Sequence, residues 1–103
     1  MKNLTFAALA VAFTATGSGA GVIERACLSS GREAANRALC GCIQEAADLT
    51  LNGGDQRMAA DFFRDPHRAQ EVRQSANNRN EAFWQRYKRF GSTAEEFCAY
   101  ARG

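Results

Sequence analysis

Proline, histidine and tryptophan occur once each in this 103-residue chain, at Pro66, His67 and Trp84. A lone histidine rules out the His-Glu-x-x-His zinc pattern, and neither a nucleophile elbow nor a phosphate-cradling glycine loop is present. β-Branched residues are few and nowhere alternate with polar ones, so strands are not expected. No block of like charge occurs: 13 basic and 11 acidic side chains are interspersed, which leaves no basic stripe for nucleic acid. The longest apolar run, residues 4–13, falls short of the roughly 20 residues a bilayer span needs.

That run has a different meaning. It follows Met1-Lys2-Asn3 and precedes "TATGSGA", which closes on Ser18-Gly19-Ala20. A positive start, a short apolar stretch and small residues that fit the peptidase pocket make up a cleavable signal peptide. Cleavage is expected after Ala20, giving a signal peptide over residues 1–20 and one domain over residues 21–103. That domain has no second long apolar run, so no membrane span is expected in it. It holds all four cysteines, and an even count behind a signal peptide reads as disulfides in an oxidising compartment, here the periplasm.

What remains is rich in alanine, glutamate, glutamine and arginine, which favour helix. A short opening helix is expected around Val22 and Leu28. Ser30-Gly31-Arg32-Glu33 reads as a capping box for the next helix. Its apolar face is Ala35, Leu39, Cys42, Ile43, Ala46 and Leu49, at helical spacing, and Asn52-Gly53-Gly54 is its expected stop. Asp55 is the expected cap of "QRMAADFFR", and Asp65-Pro66 the start of a third long segment. There Ala69, Val72, Ala76, Phe83 and Phe90 form a stripe with Tyr87 beside it, and Asn77-Asn78-Arg79-Asn80 is a place to break. Gly91 is read as its end, with a last short helix behind Ser92 carrying Phe97, Cys98 and Ala101. The fold class is therefore all-α, a small bundle of four to five helices stapled by two disulfides.

Cys40 and Cys42 lie two apart on one predicted helix. At about 100° per residue they face opposite sides and cannot bond each other. Each must find another partner, and Cys27 and Cys98 are the two left. Cys42 lies in the apolar stripe where the last helix docks, and Cys40 lies on the flank that the chain enters from Cys27. Cys27–Cys40 with Cys42–Cys98 is thus favoured, and the swapped pairing stays open. A Cys-x-Cys pair can also bind a soft metal or cycle as a dithiol, but zinc would need two further ligands nearby and redox pairs stand at helix N-termini. No metal and no cofactor is expected.

Two other stretches are candidates for function. Asp61, Asp65 and His67 in "ADFFRDPHRAQEVRQS" are the residue types of acid–base work or ligand binding, though Asp65 and His67 also suit the start of a helix. In "EAFWQRYKRF", Phe83, Tyr87 and Phe90 keep core spacing while Trp84 falls off that stripe. Trp84 with Arg86, Lys88 and Arg89 is the candidate partner-binding set, since tryptophan and arginine are favoured interface anchors.

Taken together, "CGCIQEAADLTL", "DQRMAADFFRDPHRAQEVRQS" and "FWQRYKRFGSTAEEFC" resemble a group of small exported bacterial helical proteins, some labelled "arginine transporter". The resemblance implies at most a periplasmic accessory that meets arginine or a transport complex; it supplies no catalytic residues. The expected function is non-enzymatic, by contact with another periplasmic protein. The alternatives are a small-ligand carrier or amino-acid transport accessory, and a thiol-redox or metal-binding protein.

Overall fold

Asparagine sets three of the helix starts. In the computed structural model, which describes residues 21–102, Asn36, Asn52 and Asn77 each stand in extended backbone. Each accepts a hydrogen bond from a backbone N–H two or three residues on. They open α2 (Arg37–Thr50), α3 (Gly53–Arg64) and α5 (Asn78–Cys98). α1 (Val22–Leu28) precedes them, α4 (Pro66–Arg73) lies between α3 and α5, and a 3₁₀ turn (Ala99–Arg102) closes the described chain. No strand occurs among the described residues, so the all-α bundle of five helices stands. The expected signal peptide, residues 1–20, lies outside the described residues.

Four expected boundaries are corrected. The Ser30–Glu33 box does not form. The Ser30 hydroxyl donates to the Cys27 carbonyl instead, and Gly31 takes a φ of 78°, the left-handed region glycine enters without a Cβ penalty. Gly53 and Gly54 do not stop α2; they form the first turn of α3 behind Asn52, and α2 ends at Thr50 with Leu51 extended and buried. Asp55 is therefore not a cap, and its backbone N–H donates to the Asn52 side chain. Gly91 ends nothing: α5 runs through it to Cys98, and the Ser92 hydroxyl donates back to the Lys88 carbonyl inside that helix. Pro66 does open α4, but the break before α5 falls at residues 74–77, ahead of most of the expected stretch: Asn77 caps α5, and Asn78, Arg79 and Asn80 form its first turn.

α2 is the central element. α5 runs antiparallel along it, with Cys98 bonded to Cys42 and Phe90 packed with Ala46, Ala47 and Leu51. α1 lies against α2 and α3 and is tied to α2 by Cys27–Cys40. The favoured pairing is the one found, with the two bridges leaving α2 on opposite sides. All four cysteines are buried and none is free.

Because α2 is covered on two sides, its buried residues do not form the single expected stripe. Ala46, Ala47 and Leu51 go inside, and Leu49 is left 67% exposed. Ala46, Ala47, Ala59 and Ala60 are fully buried, and such small side chains let α1, α2 and α3 approach closely. A second, aromatic cluster joins Phe62, Val72 and Phe83, with Met58, Ala69 and Trp84 against it. Tyr87 belongs to both clusters and contacts the rings of Phe62, Phe83, Trp84 and Phe90 at centroid distances of 5.1–5.8 Å. Among the described residues no helix is long and apolar enough to cross a membrane. The paired cysteines are those of a protein from an oxidising environment.

Candidate functional site

The candidate partner-binding set does not converge. On α5, Trp84 and Lys88 are one turn apart and share a face, while Arg86 points to the opposite side and Arg89 between them. Trp84 is half-buried, its ring 5.1 Å from that of Tyr87, at the edge of the aromatic cluster. Lys88 and Arg89 are exposed. Arg86 turns to α3, where its Nε and Nη2 donate to the two Asp55 carboxylate oxygens at 2.6 and 3.0 Å. These hydrogen bonds, with the carboxylate charge, hold the guanidinium above its ordinary pKa against the opposing effect of burial. Arg86 is thus committed to the protein's own packing.

The second candidate set is split as well. Asp61 and Asp65 line a shallow recess of about 300 Å³ with Arg64 and Arg68. Arg64 donates to Asp61 at 3.0 Å, so the recess neutralises itself. His67 stands apart, 3.9 Å from Glu71 on the next turn of α4, and both side chains are well exposed. No base–acid pair within hydrogen-bond reach, held by a third group, arises from these three. Among the described residues no cluster of three potential metal ligands occurs.

Where sequence reasoning found nothing, the structure has a cleft of about 520 Å³ lined by Gly21, Glu24, Gly41, Gln44, Glu45, Asp48 and Gln56. Three carboxylates and two amides face it, and none of its lining residues is basic. Its order comes from Gln44, which is buried and hydrogen-bonded through both its amide oxygen and its amide nitrogen. The Gln44 Oε1 accepts the Glu24 N–H at 2.9 Å, capping α1, whose N-cap residue, Gly21, has no side chain to do so. The Gln44 Nε2 donates to Asp48 Oδ1 and Gln56 Oε1, both at 2.9 Å. Gln56 in turn donates to Asp48 and to the Leu51 carbonyl. The signal for the α2 wall is in the sequence: Gly41, Gln44, Glu45 and Asp48 recur at three- and four-residue spacing on the polar side of that helix. The contributions of α1 and α3 come from elsewhere in the chain and leave no such mark.

Among the described residues Tyr87 is the other perturbed group. Burial raises its phenol pKa, and the nearby Arg32 charge offsets part of that rise. Arg32 itself lies over the Phe63 ring at 5.7 Å, which draws the segment between α1 and α2 onto α3.

Among the described residues four large apolar side chains remain outside: Leu28, Leu49, Phe97 and Tyr100. Phe97 and Tyr100 are three residues apart where α5 passes into the 3₁₀ turn, 47% and 80% exposed, and Cys98 between them is pinned to α2. No family model, curated protein or solved structure matches the chain.

Proposed function

We propose that the protein is a non-enzymatic helical domain, exported to the periplasm through a cleaved signal peptide, that acts by contact with another protein. The observation that supports this reading is the exposed pair Phe97 and Tyr100, held on a frame that a buried disulfide fixes. Exposed aromatics have little use in water. On a rigid support they bind without the ordering cost a flexible tail would incur. The separation of Asp61, Asp65 and His67 speaks against catalysis at that site.

The test is differential. Protein purified from periplasm after crosslinking should carry a stoichiometric partner, and Phe97→Ala with Tyr100→Ala should remove it while leaving melting nearly unchanged. A chain that is alone in both cases, or a partner retained by the double variant, overturns the reading. A small-ligand carrier, such as an accessory of amino-acid transport, is the second reading. The cation-favouring wall of the cleft gives it a better site than Asp61 and Asp65 do. The thiol-redox or metal reading would require cysteines that are all bonded here to be reduced first.

A further inference from the structure

Gly21 occupies an unusual place. It is the N-cap of α1, its carbonyl accepts the Arg25 N–H, and it lines the cleft whose charged residues are Glu24, Glu45 and Asp48. Its backbone lies directly on the Gln44 side chain. A Cβ at this position would stand 2.8 Å from Gln44 Cγ and closer still to the amide. Gln44 cannot easily move aside, because its amide is held by the Glu24 N–H, Asp48 and Gln56. The position therefore selects glycine by lack of space, with φ at an ordinary −64°.

The bond expected to be cut by signal peptidase is the one between Ala20 and this glycine. Cutting it releases an α-ammonium at the residue that lines the cleft. We infer that the cleft is the seat of the protein's own processed amino-terminus, whose positive charge answers Glu24, Glu45 and Asp48. The inference rests on the export reading given above. Three carboxylates outweigh the half-charge of like sign that a helix start presents to an ammonium. In the unprocessed chain the same nitrogen is a neutral amide and brings no charge to the cleft. Processing thus supplies the missing charge and completes the site.

The sign of the pH effect follows from linkage. An ammonium held by carboxylates has its pKa raised on folding, so its contribution is present below the unfolded value near 7.7–8.0 and is lost as pH rises through the folded value.

Intact mass and amino-terminal sequencing of protein exported from the full-length precursor come first. A start at Gly21 meets the export reading; any other start takes the amine out of the cleft and overturns the proposal. In protein that starts at Gly21, the α-amine followed by NMR should titrate at least about half a pH unit above the ordinary terminus. The rise should shrink in Glu45→Gln and in ~1 M salt. Mature protein extended by one residue, with Ala20 retained, should melt lower, as should Gly21→Ala. An amine that titrates at or below the ordinary value in a chain beginning at Gly21 refutes the seat and leaves export intact. Saturable shifts of Gly41 and Gln44 on adding free arginine would show a cleft open to an outside cation, and would also refute it.

Discussion

Replacing Arg86 by methionine keeps most of the apolar stem and removes the charge from the contact with Asp55. The Asp55 side chain is only 10% exposed, so its carboxylate would lose both strong donors and stay largely out of water. Breaking a fully buried pair costs about 3–5 kcal/mol, and hydrogen bonds to charged groups contribute roughly 1.5–3 kcal/mol. Two features reduce this. The Arg86 side chain is 38% exposed, so solvent already screens the pair. Asp55 also lies in the first turn of α3, where the helix dipole favours its charge. About 2 kcal/mol is the expected loss, which for a domain of this size is a fall in Tm of roughly 8–16 °C. Asp55→Asn should cost less, about 1 kcal/mol, because the guanidinium left behind can reach water. Joint replacement by Leu at 55 and Met at 86 should recover most of the loss, since neither charge is then stranded. Urea and thermal unfolding followed by circular dichroism, with both disulfides intact, measure all three. An Arg86→Met loss below ~0.5 kcal/mol, or a larger loss from Asp55→Asn than from Arg86→Met, would refute the account of the pair.

Removal of Cys42–Cys98 by alanine at both positions should cost roughly 4 kcal/mol and removal of Cys27–Cys40 roughly 3 kcal/mol, because the bridges close sequence separations of 56 and 13 residues; equal losses in denaturant titrations would mean that chain entropy does not set the difference. Gly91→Ala should raise stability by about 0.5–1 kcal/mol, since position 91 is inside α5 and an added Cβ meets nothing within 4 Å; a loss on thermal melting would contradict this. In a Tyr100→Phe background, ultraviolet titration should place the Tyr87 midpoint above pH 10. The folded state then keeps a proton that the unfolded state has lost, so stability should fall as pH rises past about 10; a midpoint at or below 10 refutes the burial argument.

Local chemistry was legible in the sequence and long-range choice was not. The cysteine pairing could be read because helical geometry separates Cys40 from Cys42 whatever the rest of the fold does. Pro66 was legible because its fixed φ suits the first turn of a helix whatever packs on it, whereas the break expected over Asn77–Asn80 falls at residues 74–77, and Asn77 serves as the cap of α5. Gly91 misled because its intrinsic cost, about 1 kcal/mol, is small beside what holds α5 on either side of it: Phe90 in the core and Cys98 in a disulfide. Ser30 and Asp55 are good caps by type, but Asn36 and Asn52 stand nearer to where packing starts α2 and α3. Asp55 was then drawn to Arg86, 31 residues away, which no local pattern reports. Leu49 was placed inside on the premise of one buried face, and α2 is covered on two sides. The cleft was half legible: its α2 wall has helical spacing, while Gly21 and Gln56 arrive by tertiary contact.

The two bridges on either side of Gly41 divide the chain into closed circuits. One runs from Cys27 to Cys40 and the other from Cys42 to Cys98, and Gly41 alone connects them. A tension applied between the outer ends would travel across Cys27, Cys40, Gly41, Cys42 and Cys98 and bypass α3, α4 and the aromatic cluster entirely. A single protease cut anywhere inside either circuit, including the exposed stretch before α5, would add one water to the mass and release no fragment. The covalent weak point is the backbone on either side of Gly41, and it lies within the central helix.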